Sequence, residues 1–353
     1  MADLGDGAMS PLRLPRFPPD PSPLRQLAAC LRGEVSASTD WHTCLEAANL
    51  HYVAPALGKS LELRLASEEL DPEALQYLED LRTLNGERNR RLADQLAELA
   101  RALNEVGVTP IVIKGAAILA GAPRPEHCTR MLVDLDILVE PSDVTAADKA
   151  LRGIGYKIFE DSEDEHSSGS YYRNRDVGAV DLHFCLADRI AEVITPEDLA
   201  TRTRDVPFGN ARIRIPDASL LFVMNIAHEM LHDEVLSKGR VSLRYLLDLV
   251  DLSTDETAPL DRAWIEAKCA HWKFDLALEL QSRMADELLG LPLAPGRKRT
   301  RLGALLHRRR LLKAHSPTLD ELEWTLIWRF KNLLRAARLD PTPLIARRHH
   351  GEQ

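Results

Sequence analysis

The stretch from Ile111 to Glu140, IVIKGAAILAGAPRPEHCTRMLVDLDILVE, determines the fold class that we expect for this chain. Within it, the segment 132–139 alternates with period 2, as a β-strand with two different faces does. One face carries Asp134 and Asp136, and two neighbouring carboxylates repel each other unless a cation lies between them. Their oxygens suit Mg²⁺ ions that also bind phosphate, although a strand with one solvated face is the alternative interpretation. The opposite, apolar face consists of Val133, Leu135, Ile137 and Val139.

A glycine turn precedes this strand. The β-branched run 108–113 ends at Lys114 and Gly115 and leads into an Ala-rich stretch with helical spacing. A glycine at a strand-to-helix turn lets backbone N–H groups approach an anion closely, and an adjacent lysine adds a positive charge. Arg130, which precedes Asp134 by four positions, supplies a second cation. These three residues are therefore candidate phosphate ligands.

A second strand with the same pattern occurs at Val180–Phe184. Asp181 and His183 share one face of this strand, and three apolar side chains share the other. Three carboxylates on two strands, flanked by Gly, Lys and Arg, are what metal-assisted phosphoryl or nucleotidyl transfer requires. His183 is suited to orienting the acidic group or to accepting a proton.

The order of these motifs resembles that of the uncharacterised bacterial nucleotidyltransferases of the polymerase-β superfamily. The resemblance extends from Leu92 to Leu252 and consists of KG, R…DLDILV, a helix closing on GY, VDLHF, a helix with two histidines, and LRYLLDLVDL. The wider superfamily usually has Gly-Ser or Gly-Gly, with a shorter spacer, where this chain has Lys114-Gly115. The resemblance implies an α+β fold. It would comprise a polymerase-β-like nucleotidyltransferase core, which is a small mixed sheet with flanking helices, plus N- and C-terminal helical regions.

The resemblance also implies an activity and its residues. The implied enzyme is an NTP-dependent nucleotidyltransferase of the two-metal type that uses Mg²⁺, or Mn²⁺ in its place. It would move a nucleoside monophosphate from an NTP, with ATP expected, to a hydroxyl or phosphate of a small molecule, peptide or protein, and release pyrophosphate. Its catalytic and metal-binding residues would be Asp134, Asp136 and Asp181. Its nucleotide-binding residues would be Lys114, Gly115, Arg130, His183, His228 and Arg244.

Two other functions stay open at this point. The chain can be a catalytically retired nucleotide-binding or regulatory module, or a zinc hydrolase. The zinc alternative comes from the literal H-E-x-x-H at 228–232, which on a helix places His228 and His232 on one face with Glu229 available to activate a zinc-bound water. A packing role for His228, and an i,i+4 ion pair between Arg244 and Asp248, are the simpler interpretations of these residues.

Composition narrows the class of partner. The chain has 353 residues, of which 45% are hydrophobic and 28% charged, and a formal net charge of −9. Tight binding of a long nucleic acid comes mostly from neutralising phosphates, so this charge argues against such a partner. The five cysteines are scattered, which predicts no disulfide framework and a cytoplasmic setting. No apolar run reaches about 18 residues, so we expect no membrane span.

The patterns predict five segments. They are a Pro- and Gly-rich flexible leader at 1–21, an N-terminal helical region at 22–106, a nucleotidyltransferase α/β core at 107–215, a C-terminal helical domain at 216–339 and a disordered tail at 340–353. The amphipathic run 71–105 predicts one long helix, and a last helix is predicted at 319–337. The acidic, Ser-containing segment 160–170 predicts a mobile loop. Beyond Pro196, only 211–215 predicts a strand.

Overall fold

The structure, a computed structural model, describes residues 22–62, 71–124, 127–160, 166–315 and residue 325. The flexible leader predicted at 1–21 and the disordered tail predicted at 340–353 lie outside these residues. The helix predicted at 319–337 also lies outside them except at position 325, and so do residues 161–165 of the predicted mobile loop.

A seven-stranded mixed sheet forms the centre of the described chain. In space the strand order is β3-β4-β5-β2-β1-β7-β6, with β2 parallel to β5, β1 parallel to β7 and the other neighbours antiparallel. The expected mixed sheet is therefore confirmed. The strands in chain order are β1 (Ile111–Val112), β2 (Asp134–Leu138), β3 (Lys157–Glu160), β4 (Ser167–Tyr172), β5 (Ala179–His183), β6 (Thr203–Phe208) and β7 (Ala211–Pro216).

Helices precede, interrupt and follow the sheet, which confirms the α+β class with helical regions on both sides. None of those described is both long and apolar enough to cross a bilayer. In chain order they are α1 (Pro23–Leu31), α2 (Trp41–Leu50), α3 (Ala54–Glu62), α4 (Pro72–Glu105), α5 (Lys114–Gly121), α6 (Val144–Gly153), α7 (Asp188–Ala191), α8 (Pro196–Arg202), α9 (Ala218–Ile226), α10 (Val235–Lys238), α11 (Leu243–Thr254), α12 (Arg262–Lys268), α13 (Trp272–Leu289) and α14 (Arg301–His315). A π-helical turn, Ala227–His232, directly follows α9.

The two faces of the sheet pack against different parts of the chain. Leu135 and Ile137 of β2 lie in a core shared with α4 and α6, whereas Leu138 lies in a larger core formed mainly by the helices before and after the sheet. The alternation begins only where β2 begins, because Leu132 is buried with Leu135 and the Val133 side chain is 59% exposed. The prediction that Val133 shares the face of Leu135 is therefore wrong, since β2 begins only at Asp134.

The long helix α4 holds the irregular segment that leads into β2. Its Asn89 side chain donates from Nδ2 to the carbonyls of Cys128 (2.8 Å) and Arg130 (3.2 Å). Asn85, one turn earlier, donates to the same two carbonyls at 3.2 Å and 3.4 Å. Both asparagines are buried, and buried carbonyls that lose such partners are costly. These amides therefore fix the backbone immediately before the acidic strand.

The sequence analysis predicted only one strand beyond Pro196. This prediction is wrong, because the structure has a second strand there, β6. It pairs antiparallel with β7 through the two-residue turn at Gly209 and Asn210, and Gly209 adopts φ +59°. A Gly-Asn pair between two strands is a hairpin signal that the alternation alone did not reveal. Pro207 is tolerated because β6 is the last strand of the sheet, where one side needs no ladder hydrogen bonds.

The segment Ser167–Ser170 belongs to β4 and pairs with β5, so the prediction of a mobile loop is wrong there. Small polar residues gave no strand signal because their contribution is in specific hydrogen bonds. The Ser167 hydroxyl, for example, donates to the Leu182 carbonyl at 3.1 Å. This pairing brings β4 alongside the strand that carries Asp181.

Close packing at Gly178 gives a stability test of this arrangement. A Cβ at Gly178 would lie 2.6 Å from Cδ2 of Leu92 on α4 and 3.2 Å from the Val133 carbonyl oxygen. We expect Gly178→Ala to lower the free energy of unfolding by about 1–3 kcal/mol, as overpacking does. Gly121→Ala is the matched control, because nothing lies within 4 Å of its Cβ position. Urea unfolding monitored by far-UV circular dichroism measures both. Equal stability of the two variants would contradict this packing.

Candidate active site

Two adjacent parallel strands bring the acidic residues together. In the β2–β5 ladder, Asp136 is opposite Asp181 and Leu138 is opposite His183. Residues two apart on one strand share a face, so the side chains of Asp181 and His183 project beside that of Asp136. One ligand atom from each of Asp136, Asp181 and His183 lies within 4.8 Å of the others. Among the described residues this group could hold one cation, and Asp134 lies outside it.

Asp136 is the buried centre of this group, with 3% of its surface exposed. Its Oδ1 accepts from Lys114 Nζ at 2.6 Å and lies 3.0 Å from His183 Nε2. Burial alone would raise the pKa of the Asp136 carboxyl, but Lys114 and His183 hold it below its usual range. Asp136 is therefore an anion that two neighbouring side chains stabilise.

Asp134 has the opposite electrostatic environment on the same strand. Burial, together with the nearby charges of Asp136 and Asp181, raises the pKa of Asp134 to about 6, while Lys114 opposes this effect. This carboxylate is thus poorly compensated, and an added cation beside it would relieve the repulsion.

Asp181 receives a hydrogen bond from a residue that the sequence analysis did not select. The hydroxyl of Ser170 on β4 donates to Oδ1 of Asp181, which is its partner in the β4–β5 ladder. The second oxygen of Asp181 keeps its acceptor capacity. The sequence could have indicated this contact only if β4 had been recognised as a strand, because the pairing of β4 with β5 places Ser170 opposite Asp181.

The turn at Lys114 and Gly115 differs from the expected glycine turn. Lys114, rather than the glycine, adopts the left-handed conformation, with φ +53°. Gly115 matters through space, because a Cβ there would lie 2.8 Å from Cδ2 of Leu132 and 3.6 Å from the Arg130 guanidinium. A non-glycine residue in this conformation is strained, and such strain persists where surrounding contacts impose it. Lys114 adopts this conformation in the same structure in which its ammonium contacts Asp136.

Arg130 connects this region to α11. Its guanidinium NH1 lies 3.0 Å from Oδ2 of Asp248, and both side chains are buried. Its guanidinium also lies over the Tyr245 ring, 5.4 Å from the centroid. Burial raises the pKa of Asp248 to about 7, and Arg130 opposes that rise. Nε of Arg130 is buried without a hydrogen bond to any described residue, whereas NH1 is engaged by the Asp248 carboxylate. Buried guanidinium N–H groups of this kind are suited to an anionic ligand.

Arg244 does not form the expected i,i+4 ion pair, because Asp248 contacts Arg130 instead. The Arg244 guanidinium lies between two rings, 5.2 Å from the centroid of Tyr52 and 5.3 Å from that of Tyr245. Its buried Nε likewise forms no hydrogen bond to a described residue.

The histidine pair lies on the π-helical turn rather than on a regular α-helix. The His228 and His232 rings are 5.3 Å apart between centroids, and His228 Nδ1 lies 3.4 Å from both Asp233 Oδ2 and the Tyr245 hydroxyl. Burial, assisted by Lys114, holds the pKa of His228 well below its usual range, so its imidazole is neutral at pH 7.

His166, which no motif marked, joins the histidine pair to the carboxylates. Its ring stacks on that of His183 at 5.8 Å and meets the edge of the His232 ring at 5.7 Å. The predicted residues Lys114, Asp136, Asp181, His183 and His228 therefore belong to one continuous cluster of polar side chains. Arg130 and Arg244 approach this cluster from the α11 side through Tyr245.

Glu229 does not take the position that a zinc hydrolase requires. It is 1% exposed and accepts a hydrogen bond from Gln281 of α13, in the core of the helical region. Burial raises the pKa of Glu229 to about 8, and Arg310 opposes that rise. A carboxylate held against α13 cannot activate a water between His228 and His232. The H-E-x-x-H spacing is therefore present, but its glutamate does not lie where a zinc hydrolase needs a general base.

The comparison with protein-family models identifies one family. The model of a family described as uncharacterised nucleotidyltransferases matches residues 37–290. No curated protein sequence matches the chain. Among solved structures, the solution structure of the antibiotic-resistance factor ANT(2'')-Ia is similar, with 12% identity and a TM-score of 0.39. The similarity covers 54% of this chain and 95% of that one.

The two strand aspartates should have opposite effects on stability. The folded-state pKa of Asp134, about 6, lies above its usual 3.8, so stability is lost as pH rises through this window. In metal-free buffer at pH 7, Asp134→Asn should therefore raise the free energy of unfolding by up to about 3 kcal/mol. The depressed pKa of Asp136 has the reverse sign, and Asp136→Asn should lower stability by about 2–4 kcal/mol because Lys114 and His183 lose their anion.

Urea unfolding between pH 4 and 8 measures these effects. The exposed carboxylate Asp80 on α4 provides the control, and Asp80→Asn should follow the wild type within about 0.5 kcal/mol. The gain from Asp134→Asn should shrink as the pH falls toward 4. Shifts of the same sign for Asp134→Asn and Asp136→Asn would contradict the electrostatic assignment.

Proposed function

The chain belongs to the family of uncharacterised nucleotidyltransferases, and we propose that it uses a divalent cation to transfer a nucleoside monophosphate from an NTP to an acceptor. The observation that supports this proposal is the convergence of Asp136, Asp181 and His183 within 4.8 Å, beside Lys114. The acceptor oxygen would form a bond to the α-phosphorus as the bond to pyrophosphate breaks. The acceptor would be a hydroxyl or phosphate of a small molecule, peptide or protein, and ATP is the expected nucleotide.

The carboxylates fit Mg²⁺, or Mn²⁺ in its place. Asp136 and Asp181 provide hard oxygen donors, and Asp134 adds a third carboxylate whose charge is poorly compensated. The Lys114 ammonium on Asp136 marks where positive charge is favoured. Bound at these residues, a divalent cation would lower the pKa of the acceptor hydroxyl and neutralise phosphate charge.

The protein's own cations would hold the triphosphate. We assign Lys114 and Arg130 to the β- and γ-phosphates, with backbone N–H groups of the turn at Gly115 nearby. Arg130 is suited to this role because its Nε is buried without a hydrogen bond to described residues. A guanidinium already held by Asp248 and Tyr245 loses little freedom when it binds an anion. The same groups would stabilise the departing pyrophosphate.

Other residues would position the reacting groups. His183 is fixed by its contact with Asp136, and Ser170 fixes one oxygen of Asp181, so both acidic side chains are held before a substrate binds. On the opposite side of the cluster, we assign His228 and Arg244 to nucleotide contacts. Arg244 presents a buried Nε without a hydrogen bond to a described residue, which suits a phosphate, and it lies near two aromatic rings, which suit the stacking of a base.

One observation favours a second candidate function. The ammonium of Lys114 already compensates Asp136, as a metal ion would. If that contact persists in the presence of Mg²⁺ and nucleotide, the chain would be a retired nucleotide-binding or regulatory module. The two functions differ in whether nucleotide binding depends on Mg²⁺ and on the carboxylates.

A thermal-shift panel of ATP, GTP, CTP and UTP, with and without Mg²⁺, separates these functions. For the transferase we expect Mg²⁺-dependent stabilisation of about 2.7 kcal/mol at a hundredfold excess of nucleotide over its dissociation constant. Asp181→Asn should abolish the Mg²⁺-dependent part, because it removes one oxygen donor without touching the contact between Lys114 and Asp136. Lys114→Met should weaken binding in either case.

Asp80→Asn serves again as the control and should behave as the wild type. Isothermal titration calorimetry with the best nucleotide then gives the affinities. Nucleotide binding that is indifferent to Mg²⁺ and to Asp181→Asn would favour the retired module, and no binding of any nucleotide would overturn the proposed function.

A further inference from the structure

The π-helical turn assembles a second group of metal-ligating side chains. One ligand atom from each of His228, His232 and Asp233 lies within 4.8 Å of the others. His228 Nδ1 and Asp233 Oδ2 are 3.4 Å apart. For donors about 2.0–2.1 Å from a tetrahedral Zn²⁺, ligand atoms are separated by about 3.3–3.4 Å. The observed separation is therefore that of two ligands on one tetrahedral ion.

The π geometry explains why Asp233 joins the histidines. Its N–H donates to the His228 carbonyl at 2.9 Å, which is the i→i+5 hydrogen bond of a π-turn. In an α-helix, with 3.6 residues per turn, residue i+5 lies about 140° around the axis from residue i. The wider turn narrows this divergence, so that both His232 and Asp233 reach His228. Single π-turns of this kind occur frequently at functional sites.

The donor set differs in chemistry from the carboxylate group on the sheet. Two imidazoles and one carboxylate suit Zn²⁺ and similar borderline dications, such as Co²⁺ and Ni²⁺, whereas Mg²⁺ prefers oxygen ligands alone. Three protein ligands leave a coordination position for a solvent or substrate atom. The Tyr245 hydroxyl, 3.4 Å from His228 Nδ1, provides a polar neighbour at the same place.

We propose that His228, His232 and Asp233 form a binding site for a borderline transition-metal dication of the Zn²⁺ class, separate from the carboxylate group. The site is not that of a peptidase, because Glu229 is held in the core by Gln281. It lies beside the carboxylate group, since His166 contacts both His183 and His232. The metal would offer its open position to a nucleotide or acceptor atom, so His228 would act on the ligand through the metal. Metal binding itself does not require the proposed transferase activity.

Co²⁺ titration of the whole chain in excess Mg²⁺ tests this site. The Mg²⁺ competes for the carboxylates of the sheet, and the visible absorption of bound Co²⁺ reports the coordination geometry of that ion. We expect one tightly bound Co²⁺ per chain, with the intense visible bands of a four-coordinate ion, that Zn²⁺ displaces. His228→Ala and Asp233→Asn should each weaken binding by at least about 100-fold, since even residues that only support a ligand cost 10–100-fold. Asp233→Asn is the milder change, and far-UV circular dichroism of the metal-free variants checks that each is folded.

Two controls keep the result specific. His349→Ala/His350→Ala removes two histidines that are adjacent in the sequence and do not belong to the proposed site. This double variant should leave Co²⁺ binding unchanged. Asp136→Asn should also retain Co²⁺ binding while it alters the carboxylate group, which separates failure of this proposal from failure of the proposed function. Co²⁺ binding that survives both His228→Ala and Asp233→Asn, or that is lost in Asp136→Asn alone when far-UV circular dichroism shows this variant to be folded, would overturn the proposal.

Discussion

The burial of an ionised Asp136 is the constraint on which the centre of the molecule depends. Removing a carboxylate from water costs several kcal/mol unless opposite charge and hydrogen bonds replace the solvent. The chain meets this requirement with two side chains from separate parts of the sequence, Lys114 and His183. Lys114 makes its contact from a strained left-handed backbone, and His183 makes its contact because β5 runs parallel to β2 in one register. The sheet order and the backbone at the start of α5 are therefore coupled to one buried charge.

A second buried ion pair attaches the helical region to this centre. Asp248 of α11 meets Arg130 just before β2, and Tyr245 of the same helix contacts both Arg130 and His228. The π-turn then places His232 against His166, whose ring stacks on that of His183 in β5. A charged cluster of this size requires that the sheet and the helices be mutually fixed, since any separation would expose or orphan several buried polar groups.

The sequence predicted the parts of this site that depend on local periodicity. Alternation placed Asp136, Asp181 and His183 correctly on their strands, because period 2 is a property of the strand itself. It did not predict Ser170 as the partner of Asp181, because small polar residues form a strand here only through pairing with β5. It also did not predict that Asp233 lies close to His228 and His232, since the local pattern favours an α-helix and does not indicate the π-turn. The H-E-x-x-H match shows the same limit, because spacing does not say which side chain faces the core.

The length of α4 has a consequence for how the molecule folds. α4 has 34 residues and is about 51 Å long, and its two halves serve different cores. Leu78 lies in the core of the helical regions, whereas Leu92 and Leu96 lie in the core of the sheet. Neither core is complete until α4 has formed and its two halves have packed against their respective cores. The two cores are thus expected to melt as a single cooperative unit, with long-range contacts that slow folding but make partial opening of the acidic strand rare.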